Sequence, residues 1–182
     1  MSTTFTKIGF IGLGVMGGPE CSNLVRKSGL PVVVFDMDPA KVATLVELGA
    51  TAAASVAEIA ETCDVVVLSL PGRPQVDAVV RGESGLLPHL RAGQVIVDLS
   101  TSPVDLVQEL GALLAGLGAT FVDAPVARTR QAAIDGTLSI MVGADDEATF
   151  AAVEPLLRSL AGLLRQFPAD PPVAAPAELQ PA

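Results

Sequence analysis

The apolar positions of this chain follow two alternating rhythms. Short, nearly unbroken aliphatic runs stand at 7–11, 31–35, 51–53, 65–69, 95–99, 120–123 and 138–142. Such continuous runs are what strands covered on both faces require. Between them, at 15–28, 39–48, 74–81, 103–117 and 146–160, apolar residues return every three or four positions, the period of a helix with one buried face. The punctuation agrees. Gly29 follows the first helical segment, Asp38 and Pro39 open the second, and Gly49 closes it. Ser55 and Glu58 make a capping box for a further short helix. Strand and helix in alternation predict βαβ units, and therefore an α/β fold with a mainly parallel sheet.

The first unit carries the most specific chemistry. In KIGFIGLGVMGG a strand runs directly into Gly12, Gly14 and Gly17, the G-x-G-x-x-G spacing of a dinucleotide-binding turn. Gly12 permits the tight turn, Gly14 lets the backbone approach a diphosphate, and Gly17 lets the helix pack close to the strand. Leu13, Val15 and Met16 fill the loop between them, and the helix N-terminus offers its unpaired N–H groups to the phosphates. At the end of the second strand stands Asp36, nineteen positions after Gly17, where a carboxylate is placed to hold the adenosine ribose. Together these predict a Rossmann-type, doubly wound sheet with helices on both faces, binding NAD. NADP is disfavoured, because its 2′-phosphate would meet Asp36 and Asp38, with only Lys41 nearby to offset them. Glu20, in the first helical turn, suits the helix dipole but not a diphosphate, and is expected to face solvent.

Four stretches in register, GFIGLGVMGGPECSNL, LPGRPQV, VDLSTSP and DAPVARTRQAAIDGTLSIMVG, resemble the β-hydroxyacid dehydrogenases. That family includes 3-hydroxyisobutyrate dehydrogenase and tartronate semialdehyde reductase, and is related to 6-phosphogluconate dehydrogenase. The resemblance implies hydride transfer between a 3-hydroxy acid and NAD. It also implies that Leu70, Pro71 and Gln75 contact the cofactor and that Thr101 lies beside the nicotinamide. From the residues alone, Ser100 or Thr101 has a second reading, as the cap of the helix beginning near Pro103. Where the family form places Ser-Gly-Gly after DAPV to hold a substrate carboxylate, this chain has Ala127, Arg128 and Thr129. A guanidinium there, from Arg128 or Arg130, would select an acidic substrate. The family's catalytic lysine has no counterpart, since Lys7, Lys27 and Lys41 all lie before the third strand and none follows the DAPV segment. No catalytic residue is therefore assigned, and His89 matches no family role.

Composition narrows the partners. A formal charge of −9 on 182 residues argues against nucleic acid and anionic lipid. No apolar run spans a bilayer and no signal peptide is visible, so a cytoplasmic location is expected, with a small hydroxyacid as the substrate of a completed enzyme. No metal set or disulfide framework is suggested by two cysteines, Cys21 and Cys63. After Gln166 the pattern fails, and Pro168, Pro171, Pro172, Pro176 and Pro181 forbid regular structure. The expected organisation is a cofactor domain over 1–161 and a disordered tail over 162–182. The family's all-helical second domain would be absent, through truncation or a shifted frame. Leu156, Leu157, Leu160, Leu163 and Leu164 would then form a bare stripe favouring self-association or a homo-oligomer. Two alternatives stand beside an inactive dehydrogenase fragment: a non-catalytic NAD(P)-binding module and an imine reductase-like fragment.

Overall fold

The computed structural model describes residues 5–144 and 147–167, so the tail from 168 onward lies outside the described residues. The predicted strands form, each within a residue or two of expectation: β1 Ile8–Ile11, β2 Val32–Phe35, β3 Thr51–Ala52, β4 Val65–Leu68, β5 Val95–Asp98 and β6 Thr120–Asp123. Between them run α1 Gly17–Lys27, α2 Pro39–Glu47, α3 Val56–Thr62, α4 Arg73–Arg81 and α5 Val104–Ala115. The sheet order over these strands is β3-β2-β1-β4-β5-β6, all parallel. The chain thus winds outward from β1 to β3, then returns to β4 on the other side of β1.

That reversal puts helices on both faces, because parallel crossovers keep one hand. Alternate residues of each strand enter separate cores. Phe10, Val65, Val67 and Val97 pack with Leu24 of α1, Leu45 of α2 and neighbouring side chains. Ile11, Val66, Leu68 and Ile96 pack with Ile59 of α3, Val80 of α4 and Leu110 of α5. A fully buried aliphatic side chain is worth about 2 kcal/mol, and both faces collect many of them. This explains why the strands read as unbroken apolar runs. At α3 the Ser55 Oγ accepts from the Glu58 amide at 3.1 Å, while the Glu58 carboxylate accepts from Ala54 N at 2.7 Å. The capping box therefore forms with its return bond one residue early.

The C-terminal part departs from expectation. After β6 come β7 Val126–Ala127, α6 Arg130–Asp135, β8 Leu138–Gly143, α7 Glu147–Arg158 and β9 Ala161–Phe167. β8 runs antiparallel to β6 and β7, and β9 runs parallel to β8. The ordered unit therefore reaches Phe167, past the predicted boundary at 161. Edge position explains why β9 escaped notice: its side chains are mostly exposed, so no apolar run marks it. The expected bare leucine stripe is also corrected. Leu156, Leu157 and Leu160 are buried in the first core, and only Leu163 among the five is strongly exposed. Asn23 on α1, itself buried, donates to Ala133 O at 2.8 Å and so ties α1 to α6.

Candidate functional site

Pairing levels the strand ends. Ile11 stands opposite both Phe35 and Leu68, Leu68 opposite Asp98, and Asp98 opposite Asp123. The segments that follow therefore emerge along one edge: Gly12, Asp36, Leu70, Thr101 and Ala124. Gly12 N bonds Phe35 O at 3.1 Å and Ser69 N bonds Ile11 O at 3.0 Å, so the turn leaves the sheet between β2 and β4. This is the point where the strand order reverses, the place where open α/β sheets receive ligands.

The glycines of the turn differ in what surrounds them. Gly12 has φ +96, and a Cβ on it would lie 2.2 Å from the Ser69 carbonyl. A Cβ on Gly17 would lie 1.9 Å from the Gly12 carbonyl. Nothing stands within 4 Å of the Cβ position of Gly14. Two glycines are thus closed by backbone and the middle one faces open space, the arrangement a diphosphate approaching the main chain needs. Among the described residues, no carbonyl takes the amides of Gly14 and Val15. Val15 is strongly exposed at the tip, Met16 is half-buried and Leu13 is buried.

Asp36 does more than its spacing predicts. Its Oδ2 accepts from the Leu13 amide at 2.6 Å, and its Oδ1 accepts from Asp38 N at 2.8 Å. The carboxylate therefore clamps the glycine loop to the end of β2. Lys41 Nζ lies 3.7 Å from Asp36 and 3.8 Å from Asp38, so one ammonium faces two carboxylates. An open groove of about 510 Å³ flanks the loop between α1, α2 and α6, with Gly14, Val15, Lys41 and Arg130 in its walls.

Farther along the edge, Leu70 and Pro71 follow β4, and Gln75 is exposed in the first turn of α4. The β4 and β5 loops are fastened together. Leu70 N donates to Ser100 Oγ at 2.9 Å, Ser100 N to Asp98 Oδ1 at 2.9 Å, and Ser102 Oγ to Asp98 Oδ2 at 2.6 Å. The Ser100 hydroxyl is thus spent on the neighbouring loop. The capping alternative falls: the N-cap of α5 is Pro103, with no side-chain bond, which leaves Thr101 exposed on the edge. Asp98 was missed by the sequence reading, though D-x-S-x-S carries a turn signature.

Val126 pairs with Ile140 while Asp123 pairs with Gly143. β7 therefore continues the direction of β6 beyond the edge, by about 10 Å at a strand rise near 3.3 Å per residue. Ala127, Arg128 and Thr129 stand exposed on that projecting wall. Thr129 caps α6, accepting from Ala132 N. Arg128 has φ 105, a left-handed conformation shared with no other non-glycine among the described residues. It keeps the backbone of a glycine while carrying a long side chain. Such strain costs on the order of 1 kcal/mol, so Arg128→Gly should stabilise the fold by about that amount in urea denaturation.

Glu20 overturns its expectation. It does not face solvent but is fully buried, and neither carboxyl oxygen finds a hydrogen-bond partner among the described residues. Burial pushes its pKa up to about 7, against a smaller opposing pull from the Ser69 hydroxyl. The adjacent Cys21 thiol is pushed far up by burial and by that carboxylate.

With this geometry in view, similarity to known proteins decides the family. Residues 7–167 match the NAD binding domain of 6-phosphogluconate dehydrogenase. The chain belongs to this family. It is 42% identical over 151 residues to 2-(hydroxymethyl)glutarate dehydrogenase of Eubacterium barkeri, covering 83% of this chain and 50% of that protein. Among solved structures, the Mycobacterium tuberculosis 3-hydroxyisobutyrate dehydrogenase with L-serine superposes at TM-score 0.82 and 33% identity, over 91% of this chain and 55% of that one. Psf3 in complex with NADP+ and 2-OPP does so at TM-score 0.84 and 30% identity, over 88% and 56%. The chain spans about half the length of the curated relatives it matches. No helix of the described residues is long and apolar enough to cross a membrane.

Proposed function

We propose that this chain is the cofactor-binding part of a dehydrogenase that transfers hydride between a 3-hydroxy acid and NAD. The observation that carries the reading is the 2.6 Å bond from Leu13 N to Asp36, which joins the glycine loop to the ribose-side carboxylate at the sheet's switch point. Bound there, NAD supplies the hydride acceptor. The free amides of the loop hold the diphosphate, and Asp36 takes the adenosine ribose with its remaining lone pairs. Leu70, Pro71, Gln75 and Thr101 line the edge toward the nicotinamide. The excess of carboxylate around Lys41 disfavours a 2′-phosphate, which supports NAD over NADP.

Removing a proton from a substrate hydroxyl needs a base within hydrogen-bond distance. Lys7 precedes β1 at the opposite edge, Lys27 Nζ reaches Ser159 O at 3.5 Å, and Lys41 sits between two aspartates. Arginines cannot serve, since they do not lose their proton. We therefore assign no proton acceptor among these lysines and arginines, and propose for this part of the enzyme the binding of NAD. Arg128, on the projecting wall, is suited to a second carboxylate. A relative named for a dicarboxylic hydroxy acid supports that selection.

Calorimetric titration with NAD+ and NADP+ tests the reading. Asp36→Ala should weaken NAD+ at least about tenfold, the worth of a charge-assisted hydrogen bond, and should narrow the gap between the two cofactors. Equal binding by wild type and variant, or saturation by neither nucleotide, would remove the proposed site.

A further inference from the structure

The first turn of α1 buries a carboxyl that the proposed function does not use. Glu20 lies three residues into α1, about 5 Å along the axis from Gly17 at the helical rise. Its neighbour across the gap is Ser69. The Ser69 carbonyl closes Gly12 and its Cβ lies 3.1 Å from the Cβ position of Gly17. Loop, helix turn and carboxyl are thus one packed unit, and both Glu20 oxygens lack partners within it. We propose that Glu20 is a protonation switch beneath the diphosphate site, permitting nucleotide binding when neutral and opposing it when ionised. The inference rests on the nucleotide reading above.

The surroundings leave this charge uncompensated. From the residue after β4 the Ser69 hydroxyl lies nearby without closing a hydrogen bond, and from its own helix comes the Cys21 thiol, which stays protonated. Gly12 and Gly17 bring no side chain. No Lys, Arg, His, Asp or other Glu among the described residues bears appreciably on it. The nearest acids of the edge are engaged elsewhere: Asp36 with Leu13 and Asp38, and Asp98 with Ser100 and Ser102.

The sign follows from charge. A dianionic diphosphate over an ionised Glu20 meets repulsion through the short first turn of the helix. For two unit charges separated by one helix width, about 10 Å, in a medium of effective dielectric about 20, the repulsion changes an equilibrium constant by about fifteenfold. Binding therefore draws a proton onto Glu20, and affinity falls as pH rises through neutrality. Neutral Glu20 leaves the helix dipole free to hold the anion.

Calorimetric titration of NAD+ at about pH 6 and about pH 8.5, in two buffers of different ionisation enthalpy, reads both affinity and proton uptake. Wild type should bind at least about tenfold more weakly at the higher pH and should take up protons on binding. Glu20→Gln and Glu20→Met should bind with little pH dependence, the second variant covering a failure of the first to fold. Affinity that is flat in wild type, or a slope unchanged in both variants, overturns the inference. A carbon-13 titration of the glutamate carboxyls without nucleotide separates the two readings. A raised Glu20 midpoint with no NAD+ binding at any pH would sink the nucleotide site itself, and this switch with it.

Discussion

Glu20→Met is expected to change the pH profile of stability even with no nucleotide present. The carboxyl has its pKa raised from 4.5 to about 7 by burial. A raised acid binds more protons in the folded chain than in the unfolded one across that window, so folding stability falls as pH rises. Below about pH 4.5 both states are protonated and the penalty vanishes; above about pH 7 it is complete. At 1.36 kcal/mol per pKa unit, the difference amounts to about 3 kcal/mol. Methionine matches the length of glutamate and has no charge to desolvate. Wild type should therefore lose about 3 kcal/mol relative to Glu20→Met between the two ends of the window. Urea denaturation at several pH values measures this directly. Parallel profiles would mean that Glu20 reaches water in solution.

The glycine turn should divide sharply by position. Gly17→Ala drives a Cβ to 1.9 Å from the Gly12 carbonyl, and neither partner is a flexible side chain that can swing away. The helix start must move off the strand, at a cost of about 3 kcal/mol, the upper end of the usual scale of core overpacking. Gly12→Ala adds a disfavoured φ to a 2.2 Å approach to the Ser69 carbonyl and should fare no better. Gly14→Ala meets no atom within 4 Å, so its melting temperature should stay near wild type while its NAD+ binding falls. Thermal melts and calorimetry on the three variants check the pattern. If Gly14→Ala bound NAD+ normally, the diphosphate would not pass over that residue.

Much of this architecture was legible because its signals are local. β1, β2, β4, β5 and β6 announce themselves through unbroken aliphatic runs, since helices cover both faces. Asp38 and Ser55 mark helix starts through hydrogen bonds spanning only two or three residues. The glycine spacing marks the tight turn after β1 for the same reason. β7, with two residues, is too short to show a period. β9 is an edge strand whose Arg165 and Gln166 interrupt any apolar run, and it exists because β8 offers a free side to pair with. The apolar residues of α7 were visible, but not whether they met this domain or something else.

Glu20 is the instructive miss. Helical spacing puts it on the stripe of Gly17, Cys21 and Leu24, all buried. Periodicity alone pointed inward. The expectation of solvent rests on the mismatch between a carboxylate and a diphosphate, and it fails where the carboxyl can stay protonated.

The order of strands and helices from β1 to β6, their parallel pairing, the glycine turn after β1 and the family were present in the amino-acid order, because each rests on contacts between near neighbours or on a short motif. The clamp of Asp36 on Leu13, the Asp98–Ser100–Leu70 fastening, the projecting Arg128 and the partnerless Glu20 arose only on folding. Each depends on which segments a sheet register brings side by side, and register is set by the summed packing of two cores rather than by any one stretch of chain.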